Sequence, residues 1–206
     1  MSTARRDALM IRAHPDPPKY FDTVPLLIRK FPGSWCRIHR AANAPLYFGK
    51  SGANRFDAPA GEFGVLYLGR DAHGAFIETF GHATGTRLVT ETELRARELS
   101  VVSTSRELRL VDLRGAGLAR MGADAELTIG TDYDLAHRWV LAIYNHPRQP
   151  DGIVYRARHD PDRVSAAIFD RASPVLTVQS TGSMLDAKHA GLLADILDIY
   201  KFGLVP

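Results

Sequence analysis

The chain has 206 residues, one cysteine and a formal net charge of +3, with 45% hydrophobic and 24% charged residues. This length suits one domain with a real core, no apolar run approaches the roughly 20 residues that span a bilayer, and a single Cys36 excludes an intramolecular disulfide framework. Lys and Arg are scattered among acidic residues rather than grouped in blocks, which disfavours nucleic acid as the direct partner.

The N-terminal segment, residues 1–20, is polar and rich in proline around "HPDPPKY", and we expect it to form a loosely held arm. It shows neither the apolar region nor the cleavage site of a secretory signal, so the expected location is the cytoplasm. The next stretch, "FDTVPLLIRKF", predicts a short amphipathic helix with Asp22 as N-cap. We therefore expect an arm and short helix over residues 1–30, and a single domain over residues 31–206.

The first predicted strand is "WCRIHR" (35–40), in which apolar and polar residues alternate. Gly, Asn, Asp and Pro make residues 49–64 a loop, and "VLYL" (65–68) reads as a buried strand. Asp71 then suits the N-cap of a helix. The apolar face of that helix consists of residues at helical spacing: Ala72, Ala75, Phe76, Thr79 and Phe80.

The rest of the chain alternates further strand and helix patterns. The strand candidates are "LRLVDL", "GIVYRA", "SAAIFD" and "VLTVQS"; the helix candidates are "DYDLAHRWVLAIYNH" and "AKHAGLLADILDIYKF", the latter closed by Gly203. Because few helices separate the strands, the pattern favours an α+β fold with a mixed or antiparallel central sheet and flanking helices over a parallel doubly wound sheet.

Glu78 is the first candidate for chemistry. It lies just off the apolar stripe of its helix, and the residue one turn earlier is Gly74, which has no side chain to fill the space. A carboxylate in this position is either an ordinary exposed helical Glu or part of a cleft lining. The residues alone leave both readings open.

Two arginines are candidates for binding an anion. Arg37 leaves its strand on the face opposite to Cys36 and Ile38, and Arg55 lies in the loop beside the aromatic Phe56. Guanidinium groups suit phosphate because their fixed fork of donors pairs two oxygens at once. The alternative for each arginine is a surface ion pair.

Other chemical signatures are weak or absent. Tyr67 either packs in the core or faces a site, and Cys36, which lacks an ordered partner pattern, is best read as a small buried hydrophobe. HExxH, GxSxG and the phosphate-binding GxxxxGK[ST] do not occur, which disfavours a metal hydrolase, an α/β-hydrolase and a P-loop NTPase. We expect no bound metal.

Several motifs in order resemble the RES domain family, whose members are the toxin halves of RES–Xre toxin–antitoxin pairs. They are "CRIHR" with Arg37, "NRFDAP" with Arg55, "GVLYLGRDAHGAFIETF" with Tyr67 and Glu78, "LRLVDLRGAGLARMGADAEL", and "DGIVYRARHDPDRVSAAIFDR". The resemblance runs from about Trp35 to Phe169. No single motif decides it; their order and spacing carry it.

The resemblance implies a fold similar to that of ADP-ribosyltransferases and an enzyme that consumes NAD+ as its substrate. The nicotinamide–ribose bond would be cleaved by hydrolysis, by phosphorolysis or by ADP-ribosyl transfer to a protein; the sequence does not say which. Glu78 would stabilise the positive charge that develops on the ribose. Arg37 and Arg55 would pair with the pyrophosphate, and Phe56 or Tyr67 would pack against nicotinamide and ribose.

The resemblance also implies a partner and contains one departure. The partner is an Xre-type helix-turn-helix antitoxin, which itself, rather than this chain, would contact DNA. The departure is Ala157, which stands where the family places the Ser of its Arg–Glu–Ser set, at the end of the "GIVYRA" strand. We expect this position to face the same cleft as Glu78. Either this chain is an attenuated enzyme, or it is an NAD-binding module without catalysis.

Overall fold

The architecture is organised by one eight-stranded mixed sheet. The computed structural model describes residues 14–83 and 85–206. The strands, in chain order, are β1 (Ile28–Phe31), β2 (Trp35–Arg40), β3 (Val65–Gly69), β4 (Leu88–Thr90), β5 (Arg97–Thr104), β6 (Leu108–Asp112), β7 (Gly152–Arg156), β8 (Val164–Phe169), β9 (Leu176–Gly182) and β10 (Gly203–Val205). The large sheet has the order β1-β6-β7-β8-β3-β2-β5-β9, while β10 and β4 form a separate pair.

Within the large sheet, β6 and β7 run parallel, and the other neighbouring strands run antiparallel. The two strands nearest the centre, β3 and β8, pair in register so that Gly69 lies opposite Ser165 and Tyr67 opposite Ala167. On its other side β8 pairs with β7, and Tyr155 lies opposite Ser165. The expected α+β fold with a mixed, mainly antiparallel sheet is confirmed.

The helices pack on this sheet. They are α1 (Ala72–Phe80), α2 (Glu91–Arg95), α3 (Ala116–Met121), α4 (Glu126–Ile129), α5 (Tyr133–Asn145) and α6 (Ala190–Tyr200), with 3₁₀ turns at Phe21–Thr23, Asp170–Val175 and Ala187–His189. Asp71 caps α1 as predicted, because its carboxylate accepts a hydrogen bond from the Gly74 N–H at 2.7 Å. Among the described residues no helix is long and apolar enough to cross a membrane.

The helices of both apolar clusters pack on the same face of the sheet, as the register of β2, β3, β8 and β7 shows. The fully buried Trp139 of α5 packs with Ile153 and Ala167 of the sheet. Phe76 of α1 packs instead with Ile196 of α6 in a second cluster. This arrangement sets α1 and α5 on either side of the segments that carry the site described below.

Two expectations for the elements are wrong. The helix predicted for "FDTVPLLIRKF" is wrong: only Phe21–Thr23 forms a 3₁₀ turn, and Ile28–Phe31 is a strand paired with β6. Pro25 disfavours a continuous helix there, and the open edge of β6 offers a partner instead. Gly203 does not close α6, since Lys201 takes the left-handed conformation at that end and Gly203 begins β10.

The expected arm divides between residues outside and inside the described structure. Residues 1–13 lie outside the described residues. Phe21, Val24 and Leu26 are buried in the core beside Trp139. The boundary expected at residue 30 falls inside β1, so this part of the segment belongs to the same packed unit as the sheet.

Candidate functional site

A pocket opens between the sheet and α1. Its walls come from β2, β3, α1, the loop of residues 49–64, the start of α5 and the connection that follows β7. Its volume is about 220 Å³, whereas roughly 10–15 Å³ on the same measure is enough for one water. The pocket therefore has room for a small molecule. Arg37, Arg55, Phe56, Tyr67 and Glu78, all predicted from the sequence, line it together.

Glu78 lies on the pocket side of α1 and is only half-exposed. Its carboxylate accepts a hydrogen bond from the backbone N–H of Arg158 at 2.9 Å. Burial raises the pKa of Glu78, and the Arg158 N–H and the charge of Arg55 oppose that rise. The carboxylate is therefore held in place across the pocket from a cation, rather than freely solvated as an exposed helical Glu would be.

Arg55 is buried, with 8% of its surface exposed, because the loop that carries it is internally bonded. The carboxylate of Asp57 accepts hydrogen bonds from Ser51 and from both the backbone and the side-chain amide of Asn54. Arg55 itself donates to the Gly130 carbonyl, and its guanidinium lies 4.7 Å from the ring centroid of Tyr133. Burial lowers the pKa of Arg55. Its side chain is thus fixed, with its charge directed at the pocket.

Arg37 projects from β2 into the same pocket. One of its terminal nitrogens donates to the carbonyls of Pro45 and Tyr47, which anchors the side chain against a loop. Burial lowers the pKa of Arg37 to about 10, so the group keeps its charge at neutral pH. Within residues 14–83 and 85–206, no carboxylate lies within 4.0 Å of Arg37, Arg55 or Arg158, so the surface ion-pair alternative is not what the structure shows.

Aromatic side chains form one wall. Phe56 and Tyr155 lie 4.8 Å apart between ring centroids, and both line the pocket. The Tyr67 hydroxyl donates to Asp57 and accepts from the Phe56 N–H, each at 3.0 Å, so it supports the loop. Burial raises the pKa of Tyr67 and of Tyr155 well above the usual value. Both rings are therefore neutral and suited to packing against a planar or apolar ligand group.

Three polar atoms in the pocket have no protein partner among the described residues. They are Nη2 of Arg55, Nε2 of His159 and Oγ of Ser165, and each is fully shielded from solvent. Buried polar groups in native proteins are almost always hydrogen-bonded. Their convergence in one pocket indicates a site shaped for a polar ligand.

Cys36 also lines the pocket, but its chemistry is that of a neutral thiol. Burial, followed by the negative charge of Asp71, raises the pKa of Cys36 above its ordinary value of 9.0. At neutral pH the sulfur carries its proton, and it is therefore a poor nucleophile. The expectation of a small buried hydrophobe holds only in part, because Cys36 is half-buried rather than fully buried.

Ala157 is not brought into the pocket lining, so the expectation that it faces the cleft is not confirmed. Regular β7 ends at Arg156, and Ala157 is 1% exposed. It packs in a core cluster with Ile38 and Ala75, which do line the pocket. Ala157 is thus a core residue outside the pocket lining.

Gly74 does not open the space beside Glu78 that the sequence suggested. Gly74 lies against Arg163 and the capping Asp71 instead of lining the pocket. The glycine that matters is Gly69, where an added Cβ would collide with the α1 backbone at Ala75. Because Gly69 lets α1 approach β3 so closely, Glu78 reaches the pocket.

Several lining residues were not predicted from the sequence: Tyr133, Arg158, His159 and Ser165. One signal was available, since Ser165 alternates with Ala167 and Phe169 on a core-facing side of β8, where a polar residue is unusual. His159 follows β7 in a turn and forms an edge-on ring pair with His82 at 5.4 Å. Burial lowers the pKa of His159, which favours its neutral form.

The fold and pocket together define an α+β protein whose pocket carries three arginines and one carboxylate. A model of the RES domain matches residues 34–187, well over half of the chain. The chain therefore belongs to the RES domain family. The resemblance seen between Trp35 and Phe169 is confirmed and extends further toward the C-terminus.

Two individual proteins are similar to this chain. "Probable toxin y4kH" of Sinorhizobium fredii (strain NBRC 101917 / NGR234) is 34% identical over 113 residues, which cover 55% of this chain and 87% of that protein. A chain of the crystal structure of the M. tuberculosis MbcT–MbcA toxin–antitoxin complex superposes with a TM-score of 0.65 at 18% identity, covering 84% of this chain and 94% of the other. The second likeness supports the fold.

Proposed function

We propose that this chain is the toxin of a toxin–antitoxin pair and that its pocket binds NAD+ and cleaves the nicotinamide–ribose bond. The observation that carries the proposal is the charge pattern of the pocket. Among residues 14–83 and 85–206, Arg37, Arg55 and Arg158 line the pocket without a carboxylate within ion-pair distance, and Glu78 is the one acidic residue of the lining. A ligand with a negatively charged part and a part that becomes positive during reaction fits this pattern.

The pyrophosphate of NAD+ supplies the negative part. Arg37 and Arg55 are anchored through one nitrogen each, to loop carbonyls and to Gly130, and Nη2 of Arg55 has no hydrogen-bond partner among the described residues. Because these side chains are already fixed, little side-chain entropy is lost when they bind. The neutral rings of Phe56 and Tyr155 would pack against the nicotinamide ring.

Cleavage generates the positive part. As the bond between the ribosyl carbon and the ring nitrogen breaks, its electron pair moves to the nitrogen and neutralises the pyridinium, while the ribose becomes oxocarbenium-like. The ionised Glu78 would stabilise that charge. Water, phosphate or a protein nucleophile then adds to the carbon, and its proton passes to solvent.

The toxin role rests on the family and on the named relatives. The similar Sinorhizobium protein is named a probable toxin, and the similar crystal structure is a toxin–antitoxin complex. An enzyme that depletes NAD+ must be restrained in its own cell. We therefore propose an antitoxin partner, of the Xre helix-turn-helix type, that blocks access to the pocket.

The decisive experiment identifies the products. The purified chain is incubated with NAD+, with and without inorganic phosphate, and the mixture is resolved by mass spectrometry. Free nicotinamide with ADP-ribose indicates hydrolysis, a phosphorylated ADP-ribose that requires added phosphate indicates phosphorolysis, and ADP-ribose attached to a protein indicates transfer. Release of nicotinamide together with any of these three ADP-ribose products supports the proposal.

Calorimetry measures whether the chain binds NAD+, and so distinguishes a protein that binds NAD+ without cleaving it from one whose pocket does not bind NAD+. Binding of NAD+ without any product would leave an NAD-binding module and contradict the proposed catalysis. Absence of both binding and product would contradict the assignment of the pocket to NAD+.

A further inference from the structure

Ser165 is a buried hydroxyl without a protein partner. It lies in β8 with 1% of its surface exposed, and its Oγ makes no hydrogen bond to any residue that the structure describes. Packing does not require the hydroxyl, because Ala167 occupies the equivalent core-facing position two residues along the same strand. A hydroxyl kept at this position without a partner costs free energy unless a ligand satisfies it.

The sheet directs Ser165 into the pocket. Directly opposite on one side is Tyr155 of β7, and on the other side is Gly69 of β3, both of which line the pocket. Residues paired across antiparallel strands share one face of the sheet. Because the α1 backbone at Ala75 fills the space beside Gly69, Ser165 belongs to the pocket wall while its hydroxyl stays shielded from water.

The surroundings of Ser165 suit a neutral ligand group. One of its cross-strand partners is Tyr155, whose ring is uncharged, whereas the arginines come from β2, from the 49–64 loop and from the turn after β7. A phosphate is better satisfied by the guanidinium groups. A hydroxyl both donates and accepts, and a carboxamide offers the matching acceptor oxygen and donor nitrogen.

We propose that Ser165 is a ligand-binding residue that hydrogen-bonds the carboxamide of nicotinamide, an inference that rests on the proposed NAD+ function. The bond would hold the nicotinamide ring against Tyr155 and so orient the ribosyl carbon toward Glu78. Ser165 would thereby distinguish the nicotinamide end of the dinucleotide from its pyrophosphate end.

The test compares binding of NAD+ and of ADP-ribose, which lacks nicotinamide. Calorimetry is performed in a Glu78→Gln background so that the substrate is not consumed. Adding Ser165→Ala is expected to weaken NAD+ binding about threefold to tenfold, the range of one neutral hydrogen bond, and to leave ADP-ribose binding unchanged. Because it removes an unpaired buried hydroxyl, the substitution is not expected to lower the melting temperature.

Ser100→Ala is the matched control. Ser100 is equally buried, but its hydroxyl is already bonded to His39 at 2.9 Å, outside the pocket lining. The control is expected to lower the melting temperature and to leave both ligand affinities unchanged.

Three outcomes overturn the inference. If Ser165→Ala weakens ADP-ribose as much as NAD+, the hydroxyl contacts the ribose or the fold, and if it changes neither affinity, the hydroxyl has no ligand role. If the background protein binds neither NAD+ nor ADP-ribose, the proposed function itself fails and this inference fails with it.

Discussion

Replacing Glu78 with Gln probes the proposed chemistry most directly. The change keeps the size of the side chain and an oxygen that can accept the Arg158 N–H bond of 2.9 Å, so the position of the group should persist. It removes only the negative charge. We expect the protein to fold normally and to lose most of its NAD+ consumption.

The size of the loss follows from the surroundings of the carboxylate. Glu78 is half-buried, and burial raises its pKa, so its environment is less polar than bulk water. At an effective dielectric constant of about 20 and a separation of about 4–5 Å, one unit charge stabilises another by about 3–4 kcal/mol. This corresponds to roughly 10²- to 10³-fold in rate.

The assay is nicotinamide release from NAD+ under saturating substrate, with melting temperature and circular dichroism as checks on folding. Glu91→Gln is a suitable control, because Glu91 is a helical carboxylate that pairs with Arg95 away from the pocket. A folded Glu78→Gln protein that turns over within a few-fold of the parent would refute the role of this charge.

Three further predictions concern the same pocket. Arg37→Lys and Arg55→Lys should each weaken NAD+ binding measured by calorimetry, because an ammonium cannot reproduce the fork of a guanidinium, and unchanged affinities would remove both from the site. Burial raises the pKa of Glu78 above 4.5, the ordinary value for this carboxyl, and the ionised form is required. As the pH is lowered, kcat/KM should therefore begin to fall while the pH is still above 4.5, and a flat profile through that range would contradict the role of Glu78. Ala157→Ser should raise NAD+ consumption at least about tenfold, the effect of one hydrogen bond made in the transition state, and an unchanged rate would show that position 157 does not carry the role of the family serine.

Local patterns in the sequence were sufficient for much of the framework. The alternation in "WCRIHR" predicted β2, and Asp71 predicted the start of α1. These features depend on neighbouring residues, since a strand places successive side chains on opposite faces and an N-cap bonds an N–H three residues away. Local patterns did not predict the strand β1, where a helix was expected. Its partner β6 lies about 80 residues further along the chain, and no local pattern indicates that pairing.

The residues of the candidate site also fall into those that local motifs predicted and those that they did not. Motifs that stand together in the sequence identified Arg37, Arg55 and Glu78, and the structure brings them into one pocket. Ser165 and His159 were missed, because a hydroxyl or an imidazole is informative only when its partners are known.

The sequence by itself determined the family, the α+β class and the charged residues available for chemistry. Only the tertiary structure decided that Ser165 pairs with Gly69 and Tyr155 across the sheet and that Ala157 lies in the core outside the pocket lining. It also decided that the three pocket arginines have no carboxylate partner among the described residues. The physical reason is that pocket lining and hydrogen-bond satisfaction depend on strand register and on the close approach of α1 to β3. Both are set by packing between segments that lie far apart in the chain.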